Sequence, residues 1–383
     1  MVVKFEAVDT TIYSEWRYQH ALVVSGTLDL QSTPTQKIVF TSSRDDAYGG
    51  DSNNDGDASD PGLGNWGAIK YYNPNNVLHD AIVRFGGLDR TYDNTAFYDS
   101  QMLWILGSGT GTLEVWNCVL EHAYQTAIYA ESSQTPWIHD NVVRYSQYGI
   151  LLANEGSLEI NTVTNTTWGV YLAGTGSPTI TGNTLTGNTY PIYQGASDPV
   201  YSENDFSGNT NSAIAVGGRL SNGAVWENVE GIPYLLISDV VVPSDEALAI
   251  EGGTVVKFNS GQKLTVQGTY IDSDATANPV VFTSYRDDSY GGDTNGDGPT
   301  SGGRGDWAGI YFTTNNNTFE HTVVRYAGVN VSGPTVAMRH LTFDTTPDPA
   351  VRIQSGGGGH DDPLLQFPEL ERRWRPERHS QRH

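Results

Sequence analysis

Apolar and polar residues alternate along this chain in short runs, each broken by Gly, Asn, Asp, Ser or Pro. Gly149-Ile150-Leu151-Leu152 and Gly169-Val170-Tyr171-Leu172 are typical. Alternation over a few residues between turn formers is the mark of short β-strands. The runs recur with a fixed period. Asn117, Asn141, Asn161, Asn183 and Asn204 are spaced 24, 20, 22 and 21 apart. Two places after each stands an apolar residue: Val119, Val143, Val163, Leu185 and Phe206. Nine to eleven places after each stands another: Ile128, Ile150, Val170, Ile192 and Ile214.

A unit of about 22 residues with two or three strands cannot close a core alone, so units of this kind must stack. Stacked coils pair their strands in parallel about 4.8 Å apart, and the inward residues merge into one apolar column. An asparagine at a fixed corner then bonds the asparagines of the coils above and below. The pattern predicts an all-β chain folded as a parallel β-helix of about 22 residues per coil, with Asn117, Asn141, Asn161, Asn183 and Asn204 as its internal ladder. Propeller blades need about 40 residues, and leucine-rich repeats need a leucine consensus that is absent.

A longer repeat overlies the short one. Residues 39–56 (VFTSSRDDAYGGDSNNDG) return as residues 281–298 (VFTSYRDDSYGGDTNGDG), offset by 242. Gly64-Asn65-Trp66 answers Gly305-Asp306-Trp307, and Val2-Val3-Lys4-Phe5 answers Val255-Val256-Lys257-Phe258. His340 stands where Asn117 stood. We expect residues 1–226 to form a first β-helix copy lacking its cap. Residues 227–354 should form a truncated second copy continuous with it, and 355–383 a disordered or non-native tail.

These features resemble the right-handed parallel β-helix repeat proteins of bacterial cell surfaces and secretions, within the pectin-lyase-like superfold. The resemblance rests on the strand segment from Asp239 to Phe258, on the Arg-Asp-Asp loops closed by Gly-Asp-Trp, and on the coils from 117 to 216. It implies a right-handed coil and an extracellular or cell-surface location. It does not fix an activity, because this architecture hosts many.

Composition narrows the partners. Acidic residues outnumber basic ones 44 to 21, for a net charge of −23 and a pI near 4.5. Such a chain lacks the basic footprint of a nucleic-acid binder and repels anionic membranes and acidic polymers. No apolar run approaches the roughly 18 residues of a membrane span, and Met1-Val2-Val3-Lys4-Phe5 carries no signal-peptide pattern. Cys118 stands alone, so no internal disulfide forms. We expect a monomer that contacts a polysaccharide or a cell-surface glycan.

The duplicated loops are the most distinctive chemistry. Asp51, Asn53 and Asp55, and again Asp293, Asn295 and Asp297, place oxygen ligands at alternate positions closed by glycine. With Asp45 and Asp46, or Asp287 and Asp288, they could supply the oxygen-rich shell that Ca²⁺ requires. We therefore expect structural Ca²⁺ in two loops too poor in apolar residues to order themselves, with Arg44 and Arg286 pairing to a carboxylate. Aromatic residues are the second lead: Trp104, Trp116, Trp137 and Trp168, accompanied by Tyr124, Tyr129, Tyr145, Tyr148, Tyr171, Tyr190 and Tyr193, could pave a sugar-contacting face. Catalytic signatures are thin. Arg84, Arg144 or Arg219 could act as a lyase base, and Asp140 with Glu155 could form an acid pair, but nothing local marks them out. The expected function is a non-enzymatic stalk, adhesin or carbohydrate-contacting scaffold. The alternative is a polysaccharide lyase or glycoside hydrolase with a groove on residues 100–220.

Overall fold

The computed structural model describes residues 1–354, except 8–19, 88–99, 108–110, 333–335 and the single positions 132, 222, 230, 274 and 315. The expected tail, 355–383, lies outside the described residues. Among those described, every regular element is a strand. All pairings between strands are parallel, in a right-handed β-helix.

Each coil of the first copy presents three faces. The first carries Val77–His79, Glu114–Trp116, Trp137–His139, Ser157–Glu159, Thr179–Thr181 and Val200–Ser202, stacked in chain order. The second carries Ala81–Arg84, Val119–Glu121 and the starts of Val142–Leu152 and Thr162–Leu172. The third carries Ile69–Tyr71, Gln101–Ile105, Thr126–Ala130, the ends of the two long strands, and Tyr190–Tyr193. Alternation turns one set of side chains inward on each face. Leu78, Val115, Ile138, Leu158 and Ile180 fill the first column, and Val83, Leu120, Val143, Val163 and Leu185 the second. Ile69, Leu103, Ile128, Ile150, Val170, Ile192 and Ile214 fill the third; all are buried. Each such side chain contributes about 1.5–3 kcal/mol relative to exposure. Strand propensity therefore needs little help from the polar outer residues.

The corner between the first and second faces turns on one residue of positive φ: Asp80, Asn117, Asp140, Ile160, Gly182 and Glu203 in successive coils. The residue after it points inward. In four coils that residue is asparagine, and the amides form a ladder. Asn141 Nδ2 donates to Asn161 Oδ1 at 3.0 Å, Asn161 to Asn183 at 3.0 Å, and Asn183 to Asn204 at 3.1 Å. The second proton of each amide goes to a carbonyl one coil back, as from Asn161 to Ile138 at 2.8 Å. Asn117 is not a rung, contrary to expectation. It occupies the positive-φ position itself and reaches outward to Asp80. Cys118 takes the inward place, its backbone N–H donating to Asn141 Oδ1 at 2.9 Å. The expected apolar partner Val119 is correspondingly outward, with Leu120 in the core. A second ladder, Thr166 to Asn188 to Asn209, closes the corner before the third face.

The two copies join with a rotation of one face. In the first copy Val2 pairs with Val39, Val39 with Ile82 and Ile82 with Val119, all on the second face. In the second copy the corresponding strand Val255–Phe258 sits on Tyr234–Leu236, which sits on Ile214–Val216, part of the third face below. A register shift between Val216 and Gly218 marks the change. The long loop that follows Ser284 therefore projects from the face that carries the tyrosines of the first copy.

Candidate functional site

Two outward columns on the third face are built from aromatic side chains. Along the first, Lys70, Trp104, Tyr129, Leu151, Tyr171 and Tyr193 occupy the same register in successive coils. Along the second, Tyr148, Trp168 and Tyr190 do the same. Rings stack offset within a column, Trp168 on Tyr190 at 4.6 Å and Tyr171 on Tyr193 at 4.5 Å between centroids. Between columns they meet edge to face, as Trp168 meets Tyr171 at 5.6 Å and Tyr148 meets Tyr171 at 5.2 Å. This herringbone is the favoured geometry for ring quadrupoles, and it leaves every ring half-exposed. Burial raises the phenols of Tyr171, Tyr190 and Tyr193, that of Tyr171 to about 12. The paving therefore stays uncharged at neutral pH and can donate hydrogen bonds.

The four tryptophans named from sequence divide between two faces. Trp104 and Trp168 belong to the third-face paving. Trp116 and Trp137 lie on the first face, where His79, Trp116 and His139 stack in one column at 5.1 and 6.2 Å. Trp137 leans on His139 at 4.2 Å. The imidazoles are occupied: His79 Nδ1 meets Asp80 at 2.9 Å, and His139 meets Asp140 at 2.8 Å and Glu114 at 3.1 Å. The tyrosines that complete the paving had a legible signal, since Tyr148, Trp168 and Tyr190 are spaced 20 and 22 apart, one coil each.

The duplicated loops are anchored by side chains. Asp45 and Asp287 are buried, each accepting from a threonine one turn back, Thr41 or Thr283, at 2.5 Å. Each faces an arginine from the next coil: Arg84 Nε lies 3.6 Å from Asp45, and Arg325 bonds Asp287. The pairing arginines are these, not Arg44 and Arg286 as expected; Arg286 Nε donates to the Tyr285 hydroxyl at 3.2 Å. The far end of each loop is held by a buried tryptophan. Trp66 stacks on Phe5 at 4.2 Å and donates to the Arg84 carbonyl; Trp307 stacks on Phe258 at 3.9 Å and donates to the Arg325 carbonyl. Lys4 and Lys257 hold the Gly50 and Gly292 carbonyls. Asp46, Asp51 and Asp55 gather on one side, as do Asp288, Asp293 and Asp297, with carboxylate oxygens within 4.8 Å of one another. Asn53 and Asn295 donate to Asp55 at 2.8 Å and Asp297 at 2.9 Å.

Of the suggested catalytic groups, Arg219 is exposed at the end of the strand Ile214–Arg219, and the others are engaged elsewhere. Arg84 and Arg144 both pair with Glu121, at 3.4 and 2.7 Å. Asp140 sits at the corner after Trp137–His139, bonded to His139. Glu155 lies in the turn before Ser157–Glu159, accepting the Ser177 N–H at 3.1 Å. A three-residue strand separates the corners they occupy.

Residues 62–237 match the family model described as periplasmic copper-binding protein (NosD). No curated protein and no solved structure matches the chain. The chain is a parallel β-helix repeat protein, as the resemblance implied.

The expectation of Ca²⁺ is corrected by this match and by the geometry. The matched family is described as copper-binding, not calcium-binding. The loop carboxylates Asp46, Asp51, Asp55, Asp288, Asp293 and Asp297 are surface groups of a common kind. Asp45 and Asp287 are committed to arginine, and the buried Trp66 and Trp307 supply the ordering that an ion was invoked to provide. Copper does not fit the described residues either. It favours thiolate, thioether and imidazole donors. Met102 and Cys118 are buried, and burial pushes the Cys118 thiol up to about 12. Among the described residues the only groups of three or more close ligands are the two aspartate triads, which offer hard carboxylates alone.

Proposed function

We propose that the chain is a non-catalytic β-helix scaffold of the extracytoplasmic side, which holds a glycan along the aromatic paving of its third face. The periplasmic description of the matched family supports the location. The paving carries the rest of the reading: six half-exposed rings, Trp104, Tyr129, Trp168, Tyr171, Tyr190 and Tyr193, follow one another over consecutive coils with Tyr148 beside them. Rings of this kind offer apolar area and a polar rim at low entropic cost, which suits the mixed C–H and O–H surface of a sugar. A rigid solenoid repeats that contact once per coil, so it favours a polymer over a single sugar. The test is affinity electrophoresis and calorimetry against a polysaccharide panel. Trp168→Ala and Tyr193→Ala should each weaken binding about tenfold, in line with loss of a central aromatic contact, without releasing reducing ends or unsaturated products. Retained affinity in both variants would remove the face from consideration, and a reproducible cleavage product would favour an enzyme.

A further inference from the structure

We infer that the polymer held on this face is uncharged, and that uronate-bearing polysaccharides are rejected because the coils between Arg144 and Arg219, which carry most of the rings, contribute no cation to it. This inference rests on the reading of the paving as a glycan site. Between Arg144 and Arg219 the chain contains no lysine, arginine or histidine; its charged residues there are Glu155, Glu159, Asp198, Glu203 and Asp205. That stretch supplies Tyr148, Trp168, Tyr171, Tyr190 and Tyr193. A carboxylate on the polymer would lose hydration against half-buried rings and find no ion pair in return, a cost that polar donors only partly offset.

The rotation between the two copies sharpens the exclusion. The position after Tyr148, Trp168 and Tyr190 in the next coil is Ser212, two residues before Ile214 as Tyr190 is two before Ile192. Its N–H donates to the Thr294 carbonyl at 2.9 Å, and Thr294 is buried. The loop of the second copy thus closes that end of the paving, bringing the neighbourhood of Asp288, Asp293 and Asp297 to it. At the other end the first cation in the column, Lys70, already lies over Trp104 at 5.1 Å. What flanks the rings is neutral: Gln147, Thr167 and Thr189 each precede one ring of the second column. Such side chains can exchange hydrogen bonds with hydroxyls.

The experiment compares neutral oligosaccharides (glucan, xylan and mannan series) with oligogalacturonate and oligoalginate by calorimetry at low and high salt. Thr167→Lys and Gln147→Lys are made at exposed positions beside the rings. The wild type should bind a neutral series and bind uronates at least about tenfold more weakly, with the gap narrowing as salt screens repulsion. Each lysine should raise the ratio of uronate to neutral affinity by up to about fivefold at low salt. Equal wild-type affinity for neutral and uronate polymers, or a gap that salt and the lysines do not move, overturns the charge inference while the glycan site stands. Binding to none of the polymers overturns the glycan site itself.

Discussion

Replacing Asp287 by Asn tests whether side chains alone order the second long loop. Asp287 is fully buried and accepts from Thr283 Oγ1 at 2.5 Å, from Ser289 Oγ and from Arg325. Burial by itself would raise its carboxyl; the Ser289 and Thr283 hydroxyls and the Arg325 charge outweigh it and hold the group below the usual range. Removing one partner of a buried pair costs about 3–5 kcal/mol when the other charge stays buried. Arg325 keeps Asp344 at 3.0 Å on the solvent side, so we expect the lower end, about 3 kcal/mol. In a solenoid such a penalty stays local. It corresponds to about a hundredfold loss of amide protection within residues 285–305. Hydrogen exchange and limited proteolysis measure it, each run with millimolar Ca²⁺ and with chelator. The two media should give superimposable results for wild type and variant. Unchanged protection in Asp287→Asn would refute the anchor, and calcium-dependent protection of the wild-type loop would refute the account of its order. The pH dependence has a definite sign. Because the folded carboxyl is more acidic than the unfolded one, its contribution is complete above the unfolded value of 3.8. It is lost as pH falls through the lower folded value. The variant should lack that acid step.

Ile160 holds positive φ, a conformation costing a β-branched residue about 1–2 kcal/mol, while its side chain is 62% exposed. Ile160→Asn should therefore raise the thermal midpoint, and a fall would show that the isoleucine packs more than it strains. Asn161→Ala leaves Asn141, Asn183 and the Ile138 carbonyl short of partners, at about 1–3 kcal/mol for each group left unsatisfied. Asn117→Gly, which tolerates the positive φ of that position, should cost less than Asn161→Ala, and equal losses in denaturant titrations would return Asn117 to the ladder. Burial lowers the Lys257 ammonium to about 8 from 10.5, against the pull of Asp288, Asp287 and Asp293. The folded state thus binds fewer protons between those values, so stability should rise from about pH 8 to 10.5. Lys257→Met should flatten that rise, as read from unfolding midpoints across the range.

The solenoid was legible because its determinants are local and periodic: inward apolar residues, turn residues and a recurring asparagine. The errors came from register and from contacts between coils. Asn117 shares the residue type of the ladder but stands one place early, and its spacing of 24 to Asn141 was the visible clue. The corner has two adjacent positions that both favour asparagine, one for positive φ and one for the buried amide. Residue type alone cannot separate them. The loop anchors were hidden for another reason. Arg84 and Arg325 lie about 40 residues beyond Asp45 and Asp287, one coil away in space, whereas Arg44 and Arg286 are adjacent in sequence. The split of the four tryptophans between two faces follows from corner positions that only the folded coil defines.

Comparing the two copies separates what the architecture needs from what the face is for. Features present in both, the buried aspartate with its arginine and the tryptophan on a phenylalanine, are explained by anchoring a long insertion to a coil. They recur because every such insertion meets the same problem. The aromatic paving does not recur. In the second copy the column that answers Lys70, Trp104 and Tyr129 in sequence, which stacks on Arg219 and Val241 after the rotation, holds Thr265, Tyr311, Asn330 and Arg352. Coils therefore stack without a run of rings, and outward positions there accept polar and charged residues. A run of half-exposed aromatics is an unfavourable choice for a surface that folding leaves free, since charged residues keep it soluble and unpartnered. Five of its seven rings, Tyr148, Trp168, Tyr171, Tyr190 and Tyr193, fall in the stretch between Arg144 and Arg219 that has no lysine, arginine or histidine, so two departures from the second copy meet on one face. The neutral glycan we propose would account for both.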